Sequence, residues 1–504
     1  MATKFVFFEK VSHRYESMPD LLLHNLSISF PVGWTGVVGA NGAGKTTVLK
    51  LASGLLKPSE GRVQLPGNAL YCAQRTDHAP GLLQSLIDVK EHVASEVRGQ
   101  LGIESDWVKR WDSLSHGERK RAQIAVVLWQ QPAVLALDEP TNHIDADARA
   151  MLISALRDYR GIGLLVSHDR DLLDALCHRC LFVDPPDAVM RPGNYTSGRR
   201  EALREEEYAR SRKELAKRHV ARLKTEAQRR ISRARDAGRK HSKRDLDPRD
   251  HDRRTRIDLA RLTGADARAG RSARQMKSRL EQARQAGETI RIRKQYELGI
   301  WIEGERCGRD TLFRLHAGTI PLGSARELRY PDLTMLPADR IALTGANGTG
   351  KSTLVRLILS TIDLPPERLT CLPQEIDLRS SCDIVAELRR QPCAMLGKIM
   401  TVVSRLGSRP ARLLESDEPS PGELRKLLLS LGIARQPHLI IMDEPTNHLD
   451  LPSIECLEEA LEDCPCGLLL VSHDEPFLRR LTRTRWHIAA DPSGPHGLML
   501  LQIM

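Results

Sequence analysis

The sequence predicts an α/β chain in which two like-built domains are joined by a basic antiparallel helical hairpin. Three observations predict it. The chain repeats itself once at a spacing of about 305 residues. Each copy alternates short apolar runs with helical patterns. Between the copies lies a stretch rich in Arg, Ala, Glu and Lys with a large positive excess. The 504 residues, 41% hydrophobic and 28% charged, are enough for two or three domains with sizeable cores. No run approaches the roughly 18 consecutive apolar residues of a membrane span. Met1 to Lys10 lacks the basic head and apolar core of a secretory signal. The ten cysteines are scattered: Cys177 and Cys180 form a lone C-x-x-C, and Cys464 and Cys466 flank a proline. They are expected to be reduced thiols of a cytoplasmic protein, without a zinc site.

The first domain is expected over 1–197. Its strand Gly36-Val37-Val38 runs into Gly39-Ala40-Asn41-Gly42-Ala43-Gly44-Lys45-Thr46, a full G-x-x-x-x-G-K-[ST] placed between a strand and a helix. Ala133 to Leu137 is an apolar run ending at Asp138-Glu139, and Leu164-Leu165-Val166 ends at Ser167-His168-Asp169. Uninterrupted apolar runs suit parallel strands buried on both faces, and polar residues at their carboxyl ends stand where open α/β sheets bind ligands. The second domain, expected over 301–504, repeats the plan. Ile341-Ala342-Leu343 leads into Gly345 to Ser352, Leu439 to Met442 ends at Asp443-Glu444, and Leu468 to Val471 ends at Ser472-His473-Asp474. Lys45 to Lys351 is 306 positions; Asp138 to Asp443 and His168 to His473 are each 305. The shared spacing marks a domain duplication.

The residue types in these loops point to a nucleoside triphosphate. Glycines let successive backbone N–H groups close around phosphate oxygens at a helix N-terminus. The cradles would be Gly39, Asn41, Gly42, Gly44 and Thr47, and Gly345, Asn347, Gly348, Gly350 and Thr353. Lys45 and Lys351 would reach the β- and γ-phosphates. Thr46 with Asp138, and Ser352 with Asp443, would hold magnesium. Glu139 and Glu444 would orient or deprotonate the water that attacks the γ-phosphate, and His168 and His473 would sense that phosphate. Gln74 and Gln374 lie between glycine loop and acidic strand, placed to touch the metal or the water. The cofactors implied are ATP and Mg2+.

The connecting stretch is expected as a helical arm over 198–300. From Arg199 to Ile300 it holds 32 Lys+Arg, 25 of them Arg, against 16 Asp+Glu, a local balance of +16. The whole chain carries +11, so the remainder is at −5. Leu203, Tyr208, Leu215, Leu223, Ala227 and Ile231 mark an outgoing helix from Arg199 to about Arg239. Ile257, Leu262, Met276, Leu280, Ala283 and Ile290 mark a return from about Arg253 to Arg293. An arm of about 40 residues at 1.5 Å per residue reaches roughly 60 Å. Its tip falls at about 239–264, with Arg239, Lys240, His241, Lys243, Arg244, Arg249, Arg253, Arg254 and Arg256 as RNA-binding candidates. Arginine suits bidentate phosphate contacts and stacking on bases; the competing reading is a solvated charged linker.

Leu114-Ser115-His116-Gly117-Glu118 resembles the L-S-G-G-Q signature of ATP-binding cassettes, and Pro419-Ser420-Pro421-Gly422-Glu423 is its counterpart. Ser115 and Ser420 each precede the aspartate by 23 residues. The resemblance implies that the signature residues of each cassette (Ser115, Gly117 and Glu118; Ser420, Gly422 and Glu423) face the partner's γ-phosphate. One site would then pair Lys45, Asp138, Glu139 and His168 with Ser420 and Gly422. The other would pair Lys351, Asp443, Glu444 and His473 with Ser115 and Gly117. Asp145 and Asp450 match the loop that crosses that interface. Tyr15 stands where the family places an adenine-stacking aromatic, and the stretch near Pro321 offers none. Pro421 has no N–H to give to a phosphate.

Two cassettes, E-P-T-N-H in both, and a basic helical linker together resemble the ABC-F family over the whole chain. That resemblance implies an ATPase acting in translation. It would bind the ribosome at the exit-tRNA site, with the arm reaching ribosomal RNA and tRNA near the peptidyl-transferase centre. It also implies a monomer with intramolecular cassette dimerisation and no membrane partner. Housekeeping translation and antibiotic resistance by ribosome protection both stay open, the long arm leaning by analogy toward resistance. The competing classes are an importer's ATPase subunit, which has no basic arm, and a DNA-associated ATPase, which carries longer coiled coils.

Overall fold

The computed structural model describes residues 5–16, 20–141, 144–240, 252, 255, 265–289, 307–323, 326–374, 378–408, 420–447, 449–491 and 497–503. Met1–Gly198 with Tyr296–Met504 forms one compact unit, and Arg199–Gln295 a second.

Both halves of the first unit are built on the same five parallel strands. In the first half the order across the sheet is Ala69–Cys72, Val134–Asp138, Ile162–Val166, Gly33–Gly39 and Cys177–Asp184, closed by the antiparallel Asp187–Pro192. In the second half it is Leu369–Leu372, Leu439–Asp443, Gly467–Val471, Arg340–Gly345 and Thr484–Ala490. Every residue of Val134–Asp138, Ile162–Val166, Leu439–Asp443 and Gly467–Val471 is buried, as apolar strands covered on both faces must be. The halves differ at the edge. The first keeps a separate antiparallel sheet of Leu23–Pro31, Phe5–His13 and Glu60–Gln64. The second continues its main sheet through Gly497–Ile503 into the hairpin Gly318–Leu322/Arg326–Tyr330. Among the described residues no helix is long and apolar enough to cross a membrane.

The central strands end in helices that the sequence starts deliberately. Lys45–Ala52 and Lys351–Thr361 begin after Gly44 and Gly350, which hold φ of 98° and 90°. The left-handed φ at Gly350 is one that side chains rarely adopt, and a Cβ there would also push the Leu322 methyls aside at 2.8 Å. His116–Trp129 and Pro421–Ala434 each begin with a capping box: Ser115 and Glu118 in one, Ser420 and Glu423 in the other. Asp145, Asp169, Asp450 and Asp474 cap the helices that follow them.

The cysteines depart from expectation at one point. Cys464 and Cys466 form a disulfide, the turn at Pro465 bringing their Cα atoms to 5.5 Å. Cys72, Cys177, Cys180, Cys307, Cys371, Cys393 and Cys456 are free thiols.

The second unit holds the helices Tyr195–Lys240 (from Arg199) and Ala265–Glu288. Arg230 donates to Ser272 Oγ at 3.1 Å, and Gly287 lies opposite Ala216, so the two run antiparallel. The outgoing helix has 46 residues, a length of about 69 Å at 1.5 Å per residue. The expected apolar stripe is only partly packed. Ala227 and Met276 are buried, whereas Leu203, Tyr208, Leu215 and Ile231 are exposed. Arg239 and Lys240 end the outgoing helix. The other tip candidates, His241, Lys243, Arg244, Arg249, Arg253, Arg254 and Arg256, lie outside the described residues.

Candidate functional site

The two glycine loops fold alike. Lys45 Nζ donates to the carbonyls of Gly39 (2.8 Å) and Ala40 (3.2 Å), and Lys351 Nζ to those of Gly345 (2.7 Å) and Ala346 (2.9 Å). Burial lowers both ammonium pKa values, and the nearby carboxylates oppose that shift. Gly42 and Gly348, at φ 77° and 75°, turn each loop. Thr46 Oγ1 donates to Asp138 Oδ2 at 2.8 Å, and Ser352 Oγ to Asp443 Oδ2 at 2.7 Å. A hydroxyl and a carboxylate placed this way suit a hard cation such as Mg2+, which takes oxygen ligands and keeps several waters. Among the described residues no group of three or more His, Cys, Asp or Glu is placed to hold a metal ion.

Beyond each aspartate the backbone is bent the same way. Glu139 and Glu444 have φ of 48° and 49°, left-handed values that non-glycine residues rarely adopt. Each backbone N–H donates to the neighbouring strand, at Val166 O (2.9 Å) and Val471 O (2.8 Å). That bond holds the strained residue in place. Glu139 Oε1 lies 3.1 Å from His168 Nε2, and Glu444 Oε1 lies 3.5 Å from His473 Nε2. Burial pushes each glutamic acid up to about 7, so both stand near a general base's working range. His473, buried beside the Lys351 ammonium, is lowered to about 4 and stays neutral. Its Nε2 also approaches Asn347 Oδ1 (3.2 Å) and Lys351 Nζ (3.4 Å).

The halves meet over these loops. Lys351, Ser352, Thr353, Asn347, Gly348, Gly350, Gln374, Asp443, Glu444 and His473 line a cavity of about 720 Å³ together with Ser115, His116 and His168 of the first half. At the other loop, Asp450 Oδ2 accepts from the Asn41 backbone N–H at 2.6 Å. The serines and glutamates of the signatures serve their own helices. Ser115 N and Oγ donate to Glu118 Oε2 at 2.8 Å each, and Ser420 N and Oγ to Glu423 Oε2 at 2.9 and 2.6 Å. Gly117 and Gly422 lie in the first turns of those helices. Tyr15 stands over the first loop, its hydroxyl 3.0 Å from Thr47 Oγ1 and its ring edge-on to His13. At the second loop Pro321, Leu322, Gly323 and Arg326 line the matching wall.

Several supporting residues escape a motif search. Lys120 donates to the carbonyls of Ala73 (2.6 Å) and Gln74 (3.4 Å). Arg425, 305 positions on, donates to the carbonyls of Glu444 and Asn447 at 2.9 Å each, and to that of Gln374. A buried basic residue at matching places in both copies was the available signal. Tyr71 donates to Asp138 at 2.9 Å, whereas Cys371 occupies the matching strand of the other half.

The ABC transporter family matches residues 23–142 and 328–447 of the chain. Ribosome protection protein VmlR of Bacillus subtilis (strain 168) is 28% identical over 468 residues, 89% of this chain and 80% of that protein. Probable ATP-binding protein YheS of Escherichia coli (strain K12) is 26% identical over 92% of this chain and 75% of its own. Erythromycin resistance ATP-binding protein MsrA of Staphylococcus epidermidis is 24% identical over 95% of this chain and 97% of its own. Among solved structures, the archaeal ribosome recycling factor aABCE1, complexed with the stalk protein aP1, shares the fold. Its TM-score is 0.62 at 17% identity, over 97% of this chain and 89% of that one.

Proposed function

We propose that the chain is a tandem ATP-binding-cassette ATPase of the ABC-F family, a translation factor that works on the ribosome from the exit-tRNA site. The observation that carries this reading is the combination of two cassettes with a basic antiparallel arm, in a chain matched over 89% of its length by a ribosome protection protein. In this reading the arm extends toward tRNA and the peptidyl-transferase centre, and its arginines meet RNA phosphates. Relief of drug-inhibited ribosomes is the favoured outcome, since two of the relatives are named for protection and erythromycin resistance. The chain would act in the cytoplasm as a monomer whose own cassettes pair.

The chemistry assigned to the sites is ATP hydrolysis. The glycine loops with Lys45 and Lys351 bind the phosphates. Thr46 with Asp138, and Ser352 with Asp443, would hold Mg2+, which offsets charge on the β- and γ-phosphate oxygens. Glu139 and Glu444 orient the attacking water and draw its proton, while His168 and His473 contact the γ-phosphate. Ser115 and Ser420, with Gly117 and Gly422, complete the opposite sites.

Co-sedimentation with ribosomes tests the reading. With a non-hydrolysable ATP analogue the chain should pellet with ribosomes, and rising salt should release it as counterions compete for the phosphates. A chain that stays in the supernatant at low salt with the analogue bound refutes it.

A further inference from the structure

The duplication is close to symmetric in its loops, yet the contact between the halves is not. Asp169 and Asp474, each just after its histidine, approach one another across the interface: burial pushes Asp474 up to about 6, and Asp169 adds to that shift. The cations that offset them come from one side. Arg149, on the helix Ala146–Arg157, sets Nη1 at 3.3 Å from Asp169 Oδ2 and 3.6 Å from Asp171 Oδ2. Its Nη2 crosses the interface and donates to the backbone carbonyl of His473 at 2.6 Å. Arg170 crosses the same interface but goes to Glu458 at 2.9 Å, on the helix Leu451–Glu462. Shifted by 305 positions, Arg149 and Arg170 become Ile454 and Glu475, neither of which can make the same bond to the His168 loop.

We propose that Arg149 is a positioning residue for the second site, tying the His473 loop to the Asp169 cap beside His168. The inference rests on the reading of His473 as a γ-phosphate contact. The guanidinium is almost buried, its side chain 12% exposed, so the charge-assisted bond to the carbonyl is shielded from water. His473 has its ring among Glu444, Lys351 and Asn347. A carbonyl pinned from the first half therefore fixes where that ring stands. The His168–Asp169 turn and the second site are thereby joined through one side chain, and the duplicated position, Ile454, has no donor to offer the His168 carbonyl.

The test measures single-turnover ADP formation by the full chain in two backgrounds. Glu139→Gln leaves the second site to be read, and Glu444→Gln the first. Arg149→Ala should slow the second site about tenfold, the scale of coupling lost when a linking residue is removed, and leave the first within about twofold. Equal slowing at both sites, or none, overturns the proposal. Arg170→Ala removes the neighbouring cross-interface ion pair to Glu458, leaves the Arg149 bond to the His473 carbonyl in place, and should affect both sites alike. Selective slowing of the second site by that variant would assign the effect to the interface at large and overturn the role of Arg149. His473→Ala is the separate check on the underlying reading: an unchanged rate in the Glu139→Gln background rejects His473 as a phosphate contact, whatever Arg149 does.

Discussion

Replacing Glu139 by Gln should make the nucleotide-free protein more stable while removing hydrolysis at the first site only. Burial raises the carboxyl from 4.5 to about 7 in the folded chain. Between those values the folded protein holds a proton that the unfolded chain releases. The group's contribution therefore falls as pH rises through that window, and the full penalty is present above about pH 7. A difference of about 2.5 pH units corresponds to about 3 kcal/mol at pH 8, shrinking to about 1 kcal/mol at pH 5. Glutamine has the same shape, carries no charge, and keeps an oxygen for the His168 N–H that Glu139 Oε2 accepts at 3.2 Å. Thermal unfolding of nucleotide-free wild type and variant at both pH values reads the difference. The variant should melt higher at pH 8 by on the order of 5 °C, with most of the gain gone at pH 5. Equal melting temperatures at pH 8, or a gain independent of pH, would refute the claim that desolvation raises this carboxyl.

The Glu139→Gln, Glu444→Gln double variant should bind ATP but hydrolyse it at least about a hundredfold more slowly, since the phosphate cradles remain and both water-orienting carboxylates are lost; near-normal turnover removes them from the mechanism. Glu444→Gln alone should cost more turnover than Glu139→Gln alone, because the site built on Lys45 is completed by a signature whose Pro421 has no N–H; equal losses sink that argument. Replacing Arg253, Arg254 and Arg256 by Glu should weaken ribosome association and flatten its salt dependence, while ATPase activity without ribosomes stays near wild type. Unchanged ribosome binding would make the arm a solvated spacer.

How much of this was legible in the sequence follows from where each interaction is made. The side chains gathered at strand ends were readable, because a strand, its polar terminus and the next helix are contiguous in the chain. The period of about 305 residues then marked each position twice. Glu118 and Glu423 were expected to face the opposite γ-phosphate; in the structure each closes a capping box on its own serine. Contacts made between halves were readable only through the family resemblance, which set Asp450 in the loop that crosses the interface, where it meets Asn41. Arg149 reaches His473 across 324 positions with no local pattern announcing it. The disulfide was missed because spacing alone does not say that the turn at Pro465 brings two sulfurs together.

Pro421 shows how function can change where the fold permits it. It occupies the first position of the helix Pro421–Ala434, where proline's fixed φ is suited to helix entry and a backbone N–H has no partner within the helix. The capping box at Ser420 is closed by the Glu423 N–H and side chain and does not use the missing donor. His116 occupies the same position in the other helix, above an equivalent cap. The proline therefore costs the helix nothing that the cap does not already supply. What it removes is an N–H at a helix N-terminus, the place where the backbone favours an anion. A difference that is neutral for folding and confined to one anion-facing donor bears on how the two sites divide the work.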